Sequence, residues 1–277
     1  MSITVIVTTY NRPDALRAVF QGYRAQRDRD FTLVIADDGS REDTARDVAR
    51  FAASAPFEVR HVWQEDRGFR AAAVRNRALA ATWADYVVFS DGDCIPLAGF
   101  VGGHRRLAEK GQFVVGNRVL LSDGLTSRVL ENGLPVQAWG AFAWSKARFR
   151  REVNRLFPLF PLPLPSFVRK WAGTRWEGAM TCNLAAWRED LVAVNGLDES
   201  YSGWGLEDSD LVIRLLRSGL RRKSARFATP VLHLWHREQD RAALTENRRR
   251  LEAILMSDSI RAVRGLDRYL DESSPPS

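Results

Sequence analysis

Short, β-branched apolar runs recur along the first third of the chain, and each closes on acidic, glycine or small polar residues. Ile3-Thr4-Val5-Ile6-Val7, Thr32-Leu33-Val34-Ile35-Ala36, Glu58-Val59-Arg60-His61-Val62-Trp63 and Tyr86-Val87-Val88-Phe89 read as strands, too short to be helices of their own. Between them, apolar residues fall at helical spacing: Leu16, Val19, Phe20 and Tyr23 predict a helix over 13–27, with Pro13 suited to its first turn. Further helices are predicted over 41–53 and 68–82. Strand and helix alternating in this rhythm predict parallel βαβ units and a doubly wound, Rossmann-like α/β sheet with helices on both faces.

The pattern loosens after Pro96, a residue that should stop simple continuation of the strand before it. A strand core returns in Phe113-Val114-Val115-Gly116, within 112–121. Residues 147–172 hold too many prolines for a continuous helix. They read equally as a loop covering the core or as an interfacial patch, apolar side chains dipping into lipid and Arg residues meeting anionic head groups. Residues 177–187 read as a loop, a strand and a helix start, and 195–199 as a turn. Gly203-Trp204-Gly205 reads as a mobile, ligand-gripping loop. It precedes a helix marked by Leu211, Val212, Ile213, Leu215 and Leu216. A last strand is predicted over 226–234, a peripheral charged helix over 240–256 and a frayed tail over 271–277.

Chemistry concentrates where the apolar runs stop. Asp37 and Asp38 follow one predicted strand, and Asp91-Gly92-Asp93 follows another. Asp-Gly alone is ordinary turn chemistry. Two acidic groups on one sheet edge instead point into the crevice where open α/β sheets bind ligands. Their natural partner is Mg²⁺ or Mn²⁺ carrying substrate phosphates. No G-x-G-x-x-G follows the first strand and no P-loop is present, which excludes dinucleotide and P-loop chemistry. Glu207 and Asp208 open a predicted helix, where the dipole alone would favour them. His233 and His236 sit three apart.

Composition narrows the partners. The net charge is +7, and four of the 41 basic residues are Lys. Arg favours bidentate contacts to phosphate, which suits a phosphorylated ligand or an anionic lipid surface. No nucleic-acid-binding signature occurs, so nucleic acid is not an expected partner. No apolar run nears the about 20 residues of a membrane helix, and the N-terminus runs straight into a strand without a secretory signal. The expected location is the cytoplasm, with peripheral docking on the inner face of the membrane through the basic, Pro-rich stretch. Two cysteines, Cys94 and Cys182, make no disulfide framework.

Five motifs in order, Val7-Thr8-Thr9-Tyr10-Asn11-Arg12, Ala36-Asp37-Asp38-Gly39-Ser40, Arg75-Asn76, Asp91-Gly92-Asp93 and Gly203-Trp204-Gly205-Leu206-Glu207-Asp208, resemble glycosyltransferase family 2, the inverting enzymes of the GT-A fold. The last motif, with the downstream His, is similar to the C-terminal region of galactosyltransferases and chondroitin-type polymerases. The resemblance implies one domain over 1–270: a nucleotide-sugar half (1–121), an acceptor and catalytic half (122–239) and a peripheral helical segment (240–270).

It further implies that Thr8, Tyr10 and one of Asp37 and Asp38 bracket the uracil of a UDP-sugar, and that Arg75 helps hold the nucleotide. Asp91 then lies near ribose or sugar, and Arg12, Gly92 and Trp204 belong to the same donor site. Asp93 binds Mn²⁺ or Mg²⁺ with His236, or with His233. Asp208 matches the catalytic base and Glu207 positions donor or acceptor, the acceptor being a glycan or lipid-linked glycan of bacterial surface polysaccharide or lipopolysaccharide synthesis. Cys94 after Asp93 departs from many relatives. The long membrane segments and Q-x-x-R-W motif of processive members are absent, which favours transfer of one or a few sugars. A sugar-1-phosphate nucleotidyltransferase, which should carry a Gly- and Arg/Lys-rich loop after the first strand, and a non-catalytic nucleotide- or carbohydrate-binding module are the alternative readings.

Overall fold

The computed structural model describes residues 1–237 and 242–270. Its first half runs β1 (Ile3–Thr9), α1 (Pro13–Arg24), β2 (Thr32–Asp37), α2 (Glu42–Ala52), β3 (Glu58–Trp63), α3 (Ala71–Ala80) and β4 (Tyr86–Asp91). These are the predicted elements, with strand ends extended by up to two residues and helix ends trimmed. The chain continues through β5 (Cys94–Pro96), α4 (Phe100–Leu107), β6 (Gln112–Val115), β7 (Arg118–Leu120), α5 (Asp123–Asn132), α6 (Ala141–Phe149) and α7 (Ser166–Arg169). It closes with β8 (Asn183–Trp187), α8 (Arg188–Ala193), α9 (Glu207–Arg217), β9 (Arg221–Ser224), β10 (Val231–His233), α10 (Leu244–Leu255) and α11 (Asp267–Leu270).

Seven strands form one sheet in the order β3-β2-β1-β4-β8-β6-β9. Only β8 runs against its neighbours, being antiparallel to both β4 and β6. Strands of both halves therefore share one sheet. The central strands are apolar on both faces because both faces are covered. Ile3, Val5 and Val7 enter one core cluster with Leu33, Ile35, Tyr86 and Val88, while Ile6, Val34, Val87 and Phe89 enter the other.

A second sheet, in the order β5-β10-β7, sits beside the end of β4. As expected, the strand does not simply continue through Pro96: the chain turns at Gly92-Asp93 and resumes as the short β5, which ends at Pro96. Pro96 is tolerated there because β5 is an edge strand with one neighbour. The predicted last strand over 226–234 is corrected: only Val231–His233 within it is strand (β10), and the stretch before it is a turn in which Phe227 adopts φ +65°. Strand β9, at Arg221–Ser224, precedes the predicted range and belongs to the other sheet.

The segment expected to be a peripheral helix also plays a larger part. Within 242–270, Asn247, Leu251, Leu266 and Tyr269 are buried against the domain. The expected start of that helix and the tail 271–277 lie outside the described residues. No helix among the described residues is long and apolar enough to cross a membrane.

Helix α1 fixes the small sheet. A Cβ on Gly22 would stand 2.6 Å from Pro96 Cδ and 2.8 Å from Pro96 O, so the helix reaches β5 only with glycine at this position. Gly22→Ala is expected to destabilise the protein by about 1–3 kcal/mol through overpacking. Chemical denaturation measures it, and an unchanged midpoint would show that α1 and β5 part without cost.

Candidate active site

The site lies at the C-terminal edge of the parallel strands. In register, Thr8 of β1 faces Asp91 of β4, and Thr9 faces Asp37 of β2. Gly92 hydrogen-bonds back to Thr8 O at 2.7 Å, and a Cβ there would lie 3.0 Å from that oxygen and from Thr9 Oγ1. Glycine thus lets the turn after β4 close over β1.

Arg75, on the second turn of α3, is 5% exposed and points at this edge. Its Nε donates to Thr8 Oγ1 at 2.9 Å, Nη2 to Asp91 Oδ1 at 2.9 Å and Nη1 to Glu207 Oε1 at 3.1 Å. The neighbouring Asn76 is fully buried and exchanges hydrogen bonds with the backbone of Leu197, tying α3 to the 195–199 turn.

Asp37 and Asp38 are buried, and their carboxylates brace the surrounding loops. Asp37 accepts from Ser40 N–H at 2.8 Å and meets His61 Nε2 at 2.9 Å; Asp38 accepts from Gln64 at 2.5 Å and from Arg70 N–H at 2.7 Å. Burial pushes the Asp38 carboxyl above its ordinary range. Tyr10 is 44% exposed, with its hydroxyl donating to Asp66. Arg12 pairs with Asp14 at 2.9 Å and lies near enough to His236 to disfavour that ring's charged form.

Asp93 meets both candidate histidines. Strand pairing sets His233 opposite Cys94, and Leu234 N–H donates to Asp93 O at 2.9 Å. His233 Nε2 is then 3.7 Å and His236 Nε2 3.3 Å from Asp93 Oδ2. Burial disfavours the charged form of Asp93, but the His236 hydrogen bond and the two imidazoles outweigh it and hold the carboxyl below its ordinary range. Burial lowers His233, keeping it a neutral donor, while the bond to Asp93 raises His236. A carboxylate flanked by two imidazoles is donor chemistry suited to a divalent cation. The ligand atoms that all lie within 4.8 Å of one another here are those of Asp93, Cys94 and His233, so His236 would have to move closer to complete a site with them. The buried Cys94 thiol touches Asp93 Oδ1 at 3.4 Å. Its bond to Cys182 and its burial push its pKa far up, so it stays a thiol and a poor ligand.

The third group sits at the start of α9. Gly203 (φ +67°), Gly205 (φ +101°) and Leu206 (φ +80°) carry the loop through left-handed conformations. Mobility was the sequence expectation for this loop. The structure instead shows it held: the fully buried Asn247 of α10 donates to Ser202 O and to Gly205 O, both at 3.0 Å. The glycines answer backbone geometry. Trp204 is 40% exposed beside them. Glu207 turns inward to Arg75, and Asp208 accepts from Ser209 N–H at 2.7 Å through Oδ1. Among the described residues no hydrogen bond is donated to its other oxygen. Burial, and then the Glu207 charge, push the Asp208 carboxyl up to about 7.

The structure thus gathers Thr8, Arg75, Asp91, Glu207 and Asp208 into one cluster and Asp93, His233 and His236 into another beside it. Sequence inspection missed Asn247, His61 and Gln64. Only their buried partners reveal them, since an isolated Asn, His or Gln carries no spacing signal.

The family model described as "Glycosyl transferase family 2" matches residues 4–168, and "N-terminal domain of galactosyltransferase" matches residues 168–237. Chondroitin synthase of Escherichia coli is 25% identical over 243 residues, covering 78% of this chain and 32% of the synthase. Validoxylamine A glucosyltransferase of Streptomyces hygroscopicus subsp. limoneus is 30% identical over 242 residues, covering 79% of this chain and 48% of that enzyme. The chain therefore spans between a third and a half of these relatives.

Among solved structures, S. aureus TarS 1–349 in complex with UDP superposes with a TM-score of 0.60 at 14% identity, covering 98% of this chain and 70% of that one. The Pyrobaculum calidifontis mannosyltransferase PcManGT, in complex with GDP-Man and Mn²⁺, gives 0.57 at 21% identity, covering 85% and 57%. The architecture is the GT-A fold. With a family match running through more than half of its length on that fold, the chain belongs to glycosyl transferase family 2.

Proposed function

We propose that the protein is an inverting glycosyltransferase that uses Mn²⁺ or Mg²⁺ and moves a sugar from a UDP-sugar to a hydroxyl of a glycan or lipid-linked glycan, in bacterial surface polysaccharide or lipopolysaccharide synthesis. One observation carries this reading: Arg75 bridges Asp91 at the end of β4 and Glu207 in the first turn of α9, which puts the adjoining half-buried Asp208, its carboxyl pushed up to about 7, in the same cluster. In this reading residues 1–121 bind the nucleotide sugar and 122–239 the acceptor. Relatives named as chondroitin and hyaluronan synthases support a polysaccharide role, and a neighbour bound to UDP-GlcNAc supports the donor class.

Asp93, His233 and His236 would hold the cation, whose chemistry when bound is to neutralise charge on the departing diphosphate. Thr8, Tyr10, Arg12 and Asp38 line the donor side, with Asp37 bracing their loops. Arg75 holds Asp91 toward the sugar. Asp208 takes the proton of the acceptor hydroxyl through its free oxygen as that hydroxyl attacks, and a single displacement inverts the anomeric carbon. Positioned proton transfer of this kind contributes about 10²–10⁴-fold. Glu207 fixes the first turn of α9 through Arg75, and Trp204 offers an apolar face beside the base.

Metal dependence is the first test. EDTA should abolish transfer and Mn²⁺ or Mg²⁺ should restore it, while Asp93→Asn should stay folded and lose calorimetric Mn²⁺ binding in the presence of UDP. Full activity of Asp93→Asn in chelated buffer would falsify the metal assignment.

The two acids of α9 separate by kinetics. Asp208→Asn should keep UDP binding while kcat falls by about 10²–10⁴-fold. Glu207→Gln should weaken apparent affinity as well as rate, because it frees Arg75. If Asp208→Asn turns over normally while Glu207→Gln is dead, the base is Glu207.

The pH profile supplies a third check. A base raised to about 7 is protonated, and inactive, below that pH. The kcat/KM of the wild type should therefore rise with pH and level off above about 7. Glu207→Gln removes the adjacent negative charge, so its acidic limb should move to lower pH. A limb unmoved in Glu207→Gln would disconnect it from Asp208.

A further inference from the structure

The protein's net positive charge is concentrated in one segment. Residues 133–176 hold eight basic side chains against one acid, Glu152, while the rest of the chain has 33 of each sign. Glu152 is already paired with Arg128. Lys146, Arg148, Arg150, Arg151 and Arg155 form no ion pair among the described residues, which leaves five uncompensated cations on one stretch of surface.

The same stretch exposes apolar surface in a way the rest of the protein does not. Phe142, Phe149, Phe157, Phe167 and Trp171 are 85%, 90%, 75%, 73% and 89% exposed, and every other exposed aromatic among the described residues is at most 52% exposed. Helix α6 shows the arrangement clearly. Trp144 and Ala147 are buried, while Phe142, Lys146 and Phe149, at i, i+4 and i+7, form the outward stripe. Beside Trp171 a cleft of about 350 Å³ is lined by Leu164, Val168, Phe227, Arg222 and Arg226, apolar walls with cations among them.

Aromatic and apolar side chains interleaved with unpaired cations match the boundary between acyl chains and anionic head groups. A soluble polyanion would be met by the charges but gives no reason to hold five aromatic rings in water. We infer that residues 142–171 dock the protein on the surface of a bilayer rich in anionic phospholipid. The segment is joined to the site as well. Ser122 N–H donates to Glu152 O, Asn154 N–H to Leu120 O, and Leu121 N–H to His233 O, so the docking face is two hydrogen-bonded strands from the Asp93 histidines. The inference goes beyond the proposed glycosyl transfer and requires no turnover.

Vesicle flotation tests it without activity. The wild type should float with phosphatidylglycerol-containing vesicles at low salt and stay in the soluble fraction with phosphatidylcholine alone. Arg148→Glu with Arg151→Glu should lower partitioning by more than ten-fold, since each cation near an anionic surface is worth about five-fold. Phe149→Ser with Trp171→Ser should lower it comparably at unchanged charge. Met256→Ser with Val263→Ser removes two apolar side chains, 90% and 86% exposed, from a different surface and should change nothing. Circular dichroism of each variant shows whether loss of flotation reflects unfolding. If the wild type ignores anionic vesicles, binds soluble heparin or RNA in their place, or loses flotation equally in the Met256/Val263 variant, the docking surface is overturned.

Discussion

The buried Arg75 guanidinium is the interaction on which the site depends. It joins the end of β1, the end of β4 and the first turn of α9 through Thr8, Asp91 and Glu207. Taking a cation out of water is unfavourable by several kcal/mol unless carboxylates repay it, and removing one partner of such a cluster costs about 3–5 kcal/mol. Both carboxylates are therefore held where Arg75 stands. The same arithmetic of charge explains Asp208. Arg75 is already shared by two anions, so a third carboxylate beside Glu207, half withdrawn from water, finds little stabilisation for its charge and keeps its proton to about neutrality. A structural tether and a carboxyl that titrates near neutrality thus have one cause.

Geometry around this hub comes from strand register. Because β10 lies antiparallel to β5, His233 falls opposite Cys94 and the chain returns past Asp93 with His236 on the same side. No side chain has to search for its partner. Pairing of the backbone does the positioning, and α1 clamps β5 from beneath through Gly22.

Much of this was legible in the residues, and the rest was hidden for identifiable reasons. Apolar runs buried on both faces announce themselves, so β1 to β4 and the acids at their ends could be read directly. Helix α4 could not, because Gly102 and Gly103 argue against a helix. Gly103 is there because a Cβ would lie 2.6 Å from Thr229 Cγ2. Gly203 and Gly205 looked like hinges since sequence shows permissiveness and not the φ that requires it, and the Asn247 brace lies some forty residues away in the chain. His233 and His236 could not be ranked from spacing; pairing with β5 brings both to Asp93. Cys94 and Cys182, distant in sequence, meet only because β8 pairs with β4.

That reversed strand has a consequence for how such an enzyme can change. In a sheet of parallel strands, only the connection leaving each strand reaches the ligand edge. Since β8 runs backwards, the stretch arriving at it reaches that edge instead, bringing Cys182 beside Asp91 and Cys94. Everything between β7 and β8 is therefore one excursion that departs from the small sheet and rejoins the large one at the site. It is moored at Ser122–Glu152 and where Arg169 donates to Ser224 O and Arg226 O. Between those moorings the excursion can be lengthened, shortened or recoloured with different side chains while every strand keeps its register. The surface this excursion presents can therefore change independently of the strand ends that hold the acidic cluster.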